Sequence, residues 1–177
     1  MCGVSDSLRG HLLIAAPSLF DYFRRSVVLL IEHNDEGAMG VVLNRPSEAT
    51  VGEAVPALAS AAGTDEPILL GGPVSPEAVV ALGEFNDPSD AGSAVVGTLG
   101  TLDPDRPEGA RRLRVYAGYA GWAPGQLEGE IEQEAWIVEP ASPEDPFRSG
   151  DLWSDALQRK GGQYALLATM PADPSSN

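Results

Sequence analysis

The sequence predicts an α+β fold built on a largely antiparallel sheet. Nine short runs are rich in Val, Ile, Leu and aromatic residues, a composition typical of β-strands. Only three segments carry helical spacing, and they are scattered among the strands. Because the strands come in groups and do not alternate strictly with helices, an all-parallel βαβ sheet is disfavoured.

The predicted strands follow one another along the whole chain. They lie at residues 11–15, 26–33, 40–45, 67–70, 78–82, 94–99, 113–118, 135–139 and 164–170. Between the second and third strands, residues 34–37 (NDEG) are of the types that reach positive φ at low cost in a tight turn. Residues 26–45 therefore predict one β-hairpin.

Three helices are predicted between these strands. Thr50 caps the first, over residues 50–60, with Glu53 at the capping-box position. The second, over residues 126–133, follows a Pro-Gly pair and spaces two aliphatic side chains four residues apart. The third, over residues 151–160, begins with an aspartate and ends in Arg-Lys before two glycines, which is the usual helix stop.

Chain length and termini predict a single domain. The 177 residues fit one hydrophobic core, which we expect over residues 8–170, with flexible tails at residues 1–7 and 171–177. No segment has the length of a membrane span, and the first residues do not have the pattern of a signal peptide. We therefore expect a cytoplasmic protein with no membrane partner.

The charge balance disfavours one class of partner. Eleven Lys and Arg residues face 26 Asp and Glu residues, so the formal net charge is −15. Nucleic-acid binding draws much of its affinity from cations that neutralise phosphates, and here the sign is wrong. Direct nucleic-acid binding is therefore disfavoured, and we also find no helix-turn-helix with a basic recognition surface.

Several strings resemble the YqgE/AlgH family. They are residues 8–15 (LRGHLLIA), 26–33 (SVVLLIEH), 37–46 (GAMGVVLNRP), 71–74 (GGPV), 117–128 (AGYAGWAPGQLE) and 151–153 (DLW). Together they follow the family's order over residues 8–170, whereas residues 86–111 depart most from it. The resemblance implies a bacterial protein with a bifurcated sheet bent into a pseudo-barrel. It implies no catalytic residues or cofactor, and the family's loose label of transcriptional regulator conflicts with the charge.

Acidic and imidazole side chains crowd the predicted hairpin end. Glu32, His33, Asp35 and Glu36 are ligand types that hold divalent cations. Consecutive strand residues point to opposite faces, however, so Glu32 and His33 need a local bulge to share one ion. The alternative is a solvated hairpin end in which His33 bonds a backbone carbonyl. We expect neither a bound metal nor a cofactor.

Two further segments supply candidate binding groups. At the far end of the hairpin, Asn44 and Arg45 could capture an anion, or Arg45 could pair with Glu32 or Glu53. The segment 118–126 frames two aromatic residues with glycines and a proline before a predicted helix. It could present a ligand surface, or it could be a packed strand-to-helix turn with its tryptophan in the core.

These segments predict a non-catalytic module for a small anionic ligand or a protein partner. The predicted ligand-binding face joins polar and aromatic residues at the bends of an apolar strand framework. Its members are Glu32, His33, Asn44, Arg45, Tyr119, Trp122, Gln126 and Glu128. The alternative is a small hydrolase that uses a carboxylate or a metal-bound water, for which Glu128 and Glu132, four residues apart, offer paired carboxylates. The sequence leaves open whether any reaction is catalysed.

Overall fold

A computed structural model describes residues 8–16, 25–59, 63, 65–87, 91, 93–102, 110–148 and 151–167. Within those residues the strands are β1 His11–Ala15, β2 Val27–Asn34, β3 Gly37–Val42, β4 Pro46–Thr50, β5 Pro67–Leu70, β6 Val74–Phe85, β7 Ser93–Val96, β8 Leu99–Leu102, β9 Ala110–Trp122 and β10 Trp136–Pro140. The helices are α1 Val51–Ala54, α2 Gln126–Glu132, α3 Leu152–Lys160 and α4 Gln163–Leu167. Short 3-10 turns cover Pro56–Leu58 and Asp145–Phe147.

The strands form one curled sheet, which makes a half-barrel with a few short helices. The strand order is β10-β1-β2-β3-β9-β6-β8-β7, and β4 and β5 attach beside β9. Every pairing is antiparallel except that of β5 with β9. The predicted fold class, an α+β fold with a largely antiparallel bent sheet, is confirmed.

Alternation along the strands divides the core between the two faces of the sheet. In β2, Val27 and Leu29 belong to a cluster that also contains the apolar face of α3. Val28 and Leu30 belong to a second cluster with Trp122 and with Leu127 of α2. A third cluster lies under β6, β8 and α1. Helices α2 and α3 therefore cover opposite faces of the same strands.

Most predicted elements are present, with shifted ends. The hairpin turn falls on Asp35 and Glu36, where the Glu36 N–H donates to Asn34 Oδ1 at 2.8 Å. The capping box of Thr50 and Glu53 is present, but α1 stops after four residues and a 3-10 turn follows. The other two predicted helices correspond to α2 and α3.

Three predictions about elements are wrong. Residues 164–170 were expected as a strand, but residues 163–167 form α4, in keeping with the helix propensity of Ala and Leu there. Residues 94–99 are not one strand, because a turn at Gly97, with φ of +53°, separates β7 from β8. The strand predicted over residues 113–118 is too short, since β9 begins at Ala110 and continues to Trp122.

The predicted tails, residues 1–7 and 171–177, lie outside the described residues, as do residues 168–170. The single-domain boundaries therefore stay a prediction. Among the residues that the structure describes, no helix is both long and apolar enough to cross a bilayer.

Candidate functional site

A β-bulge in β2 decides which way the hairpin-end side chains point. Leu30 pairs with Gly40, but the next paired residue is Glu32, opposite Met39, so Ile31 is one extra residue. Beyond the bulge, His33 pairs with Ala38 and lies on the face covered by α2. Glu32 is exposed and points to the opposite face. Glu32 and His33 therefore point to opposite faces, and the bulge lies before them and not between them.

His33 is a buried bridge between two distant segments. Its Nδ1 accepts the backbone N–H of Leu8 at 2.8 Å, and its Nε2 lies 2.9 Å from Glu128 Oε2. Because Nδ1 accepts, the neutral ring carries its proton on Nε2 and donates it to Glu128. This hydrogen bond lowers the pKa of Glu128 below its ordinary value. His33 thus has a backbone donor and a carboxylate among its partners.

Glu130, which the sequence did not single out, organises the aromatic residues beside α2. Its Oε1 accepts the indole N–H groups of Trp122 at 3.0 Å and of Trp136 at 2.8 Å. Its Oε2 accepts Gln126 Nε2 at 3.0 Å, and Gln126 Oε1 accepts the N–H of Ala123. The two indole rings meet edge to face at 6.0 Å. In the sequence, the i,i+4 spacing of Gln126 and Glu130 between two tryptophans could have indicated this hydrogen-bond network.

Asn44 and Arg45 lie at the other end of β3 from the hairpin tip. Asn44 Oδ1 accepts the N–H of Val27, and its Nδ2 donates to the carbonyl of Arg25, so Asn44 holds the start of β2. Arg45 is half-buried, and its carbonyl accepts the N–H of Leu70. The structure does not bring either residue to the hairpin end or to Trp122.

The remaining predicted residues also separate. Tyr119 packs against the cluster on the α3 side, whereas Trp122 is only 7% exposed and belongs to the cluster on the α2 side. Gly118, at φ of +76°, allows close packing, because a Cβ there would lie 2.6 Å from the carbonyl oxygen of Gly72. The structure gathers His33, Glu128, Gln126 and Trp122 beside α2, Glu32 lines a hollow at the hairpin tip together with Trp122, and Asn44, Arg45 and Tyr119 lie elsewhere.

A groove of about 570 Å³ lies beside the edge strand β10, next to the Glu130 network. It runs between the end of α2 and the α3–α4 corner. Its lining combines apolar walls with polar groups of both signs: Ala16, Ile131, Glu134, Trp136, Ile137, Val138, Lys160, Gln163 and Tyr164. The groove is not apparent in the sequence because its walls come from three separated stretches of the chain.

The polar rim of the groove is held in place by defined contacts. Lys160 Nζ donates to the Val138 carbonyl of β10 at 2.8 Å and lies 5.2 Å from the centre of the Tyr164 ring. Trp136 is held from behind by Glu130. In the part of the chain that the structure describes, no three His, Cys, Asp or Glu side chains are placed to share a metal ion.

The fold defines the class of protein. It is a curled half-barrel whose two faces are covered by short helices and whose edge strand borders a groove. The sequence profile of the AlgH-like family matches residues 12–165. The chain belongs to this family, as the resemblance predicted.

Relatives and solved structures agree with the family. A UPF0301 protein of Streptomyces coelicolor is 42% identical, with 100% of both chains covered. A UPF0301 protein of Thermobifida fusca is 43% identical over 97% of this chain and 96% of its own. A crystal structure of a Corynebacterium diphtheriae protein is 32% identical and superimposes with a TM-score of 0.83 over 91% of each chain. The solution structure of AlgH from Pseudomonas aeruginosa is 31% identical, with a TM-score of 0.71 over 97% of this chain and 98% of that one.

Proposed function

We propose that this protein is a non-catalytic binding module that takes a small amphipathic ligand in the groove beside β10. The proposal rests on the size and the lining of this groove. Its volume of about 570 Å³ falls in the range of roughly 300–1,000 Å³ typical of ligand sites. Such sites combine an apolar lining with a few placed polar groups, and Lys160, Gln163 and Glu134 stand here among aliphatic and aromatic walls.

The walls of the groove support binding because they are held before a ligand arrives. Glu130 fixes the Trp136 indole, and the Lys160 ammonium bridges β10 and the Tyr164 ring. A preformed wall lowers the entropy that a ligand loses on binding. Lys160 also occupies the outward carbonyl of Val138, so it opposes the addition of a partner strand at this edge. A compact ligand therefore fits better than an extended peptide.

The ligand we expect has an aromatic or aliphatic body and one acidic group. Lys160 is the cation on the groove lining, and it retains donor capacity beyond the Val138 carbonyl, because an ammonium carries three N–H donors. The apolar lining suits a ring or a short chain. The net charge of −15 argues against a nucleic acid as the ligand.

Four of the predicted site residues lie together, and their contacts support a role in positioning helix α2. His33 uses Nδ1 for Leu8 and Nε2 for Glu128, and Gln126 and Trp122 bond Glu130. A hydrolase would need a general base with a lone pair available to its substrate, and both ring nitrogens of His33 are already engaged in these contacts. We propose that they fix α2, whose Ile131 lines the groove.

The test is a titration with phenylacetate, and with phenethylamine as the probe of opposite charge, followed by NMR of the backbone amides. We expect saturable shifts around Tyr164 and Val138 with phenylacetate and much weaker ones with the amine. Tyr164→Ala should weaken phenylacetate binding. Leu166→Ala is the matched control, because Leu166 lies on the same helix, is 71% exposed and does not line the groove. No saturable shift, or equal weakening by both variants, would remove the groove as the site.

A further inference from the structure

A second cavity, of about 270 Å³, lies on the α3 side of the sheet, far from the hairpin tip. Its mouth is framed by β4, β5 and β9 and by the 3-10 turn before α3. The lining residues are Leu43, Asn44, Pro46, Glu66, Pro67, Leu69, Arg114, Pro146, Arg148 and Leu152. Two guanidinium groups thus line one small cavity in a chain that has only 11 Lys and Arg residues against 26 acids.

Arg114 is held rigidly at one side of this cavity. Its Nη1 lies 2.6 Å from Glu66 Oε2, and its Nε donates to the Pro146 carbonyl at 3.2 Å. Its guanidinium also lies 5.6 Å from the Phe147 ring centre. A guanidinium has five N–H donors, so these contacts leave part of its fork for a ligand. The side chain is 22% exposed, which keeps it partly screened from bulk water.

Arg148 is held at the other side by a buried carboxylate. Its Nε donates to Asp145 Oδ1 at 3.1 Å. Asp145 is fully buried and also accepts two bonds from Arg159, at 2.9 and 3.0 Å, and the N–H of Ser142 at 2.7 Å. Because Asp145 already has four donors, it fixes the base of the Arg148 side chain. Arg148 is 43% exposed, and its two terminal nitrogens carry four further N–H donors.

The floor of the cavity is apolar, with one buried hydroxyl behind it. Leu43, Leu69 and Leu152 belong to the same core cluster as Tyr116. Tyr116 pairs with Leu69 and lies two residues beyond Arg114 on β9, so the Tyr116 and Arg114 side chains share a face. Its hydroxyl has no hydrogen-bond partner among the described residues. A buried hydroxyl without a partner is costly, which makes it a candidate polar contact beneath this wall.

We propose that this cavity binds a small aliphatic carboxylate. The carboxylate head lies between the forks of Arg114 and Arg148, and the short branched or linear chain lies against the three leucines and the prolines. A volume of about 270 Å³ is just below the usual range for drug-sized ligands, so the ligand is a small metabolite. A carboxylate with a hydrocarbon body matches the apolar floor better than a free phosphate does. This site is separate from the β10 groove and does not rest on the function proposed for it.

The experiment titrates the full chain with 3-methylbutanoate, the neutral 3-methylbutanamide and inorganic phosphate, read by amide NMR shifts. We expect saturable shifts around Leu43 and Leu152 with 3-methylbutanoate, and at least tenfold weaker binding of the amide. Phosphate binding as tight as that of the carboxylate would overturn the assigned ligand class. The absence of a saturable shift with 3-methylbutanoate would overturn the site.

Charge-matched variants separate the site from general electrostatics. Arg148→Gln should weaken 3-methylbutanoate binding roughly tenfold, as expected for the loss of a charged hydrogen bond. Arg111→Gln is the control, because Arg111 carries the same charge on β9 but pairs with Glu84 away from the cavity. Equal effects of these two variants would contradict the proposal.

Glu66→Gln tests the same site in the opposite direction. It removes the carboxylate that competes for Arg114, so 3-methylbutanoate should bind several-fold more tightly. A merely structural role of the Arg114 and Glu66 pair would not raise affinity. Unchanged or weaker binding by a folded Glu66→Gln variant would therefore refute the arrangement.

Discussion

Replacing Glu130 by Ala removes the acceptor shared by the two indole N–H groups of Trp122 and Trp136. Trp122 is 7% exposed and Trp136 is 4% exposed, so water reaches neither ring easily. Leaving one buried donor without its partner costs about 1–3 kcal/mol. The substitution leaves two such donors, which together cost about 2–6 kcal/mol. Because relaxation at the partly exposed Glu130 position recovers part of this cost, we expect Glu130→Ala to lower the free energy of unfolding by about 2–4 kcal/mol.

The assay is urea unfolding followed by tryptophan fluorescence, with thermal unfolding as a second readout. For a chain of this length the loss corresponds to a fall of about 5–15 °C in Tm. Glu130→Gln keeps a carbonyl oxygen for the indoles and should cost only about 1 kcal/mol. Glu132→Ala, at an exposed position of the same helix, is the matched control. If Glu130→Ala costs no more than Glu132→Ala, the bridge does not stabilise this face.

Three further predictions concern other parts of the fold. Asp145→Ala should cost about 3–5 kcal/mol in urea unfolding, because it leaves Arg148 and Arg159 without their buried partner; a loss under about 1 kcal/mol would contradict the assigned role. The lowered pKa of Glu128 means that its bond to His33 stabilises the fold above the carboxyl's unfolded pKa and is lost as pH falls through the folded value. The stability difference between wild type and Glu128→Gln should therefore be present at pH 7 and vanish in acid, and a constant difference across pH would be inconsistent with this. Gly118→Ala should destabilise more than Gly125→Ala in the same assay, because both have positive φ but only Gly118 faces a carbonyl at 2.6 Å; equal losses would show that strain alone matters.

Local patterns were sufficient to predict most of the elements. Residues 34–37 predicted the hairpin turn, in which Gly37 takes a φ of +133° and the Asn34 side chain accepts the Glu36 N–H. The capping residues predicted the start of α1 and the end of α3. The failure at residues 164–170 has a physical cause. An apolar run that short fits a strand or a helix equally well, and packing against the preceding helix α3 decides it.

The site was harder to predict because its contacts join distant segments. His33 and Glu128 are 95 residues apart, and only the bulge at Ile31 turns the imidazole toward α2. Strand alternation alone gives no position for such a bulge. Arg45 and Trp122 were both expected at bends of the sheet and therefore on one face. Trp122 lies beside the first half of β3 and Arg45 follows its end, so the two residues are at different ends of this strand. The placement of such residues depends on strand order and register, which a single sequence does not specify.

The most direct test of the proposed function is the position of bound phenylacetate, measured by intermolecular NOEs in the full chain. We expect NOEs from the phenylacetate ring protons to Val138 and Tyr164, with the carboxylate near Lys160. NOEs confined to the hairpin tip around Glu36, or turnover of an ester probe at a rate abolished by Glu128→Gln, would contradict it.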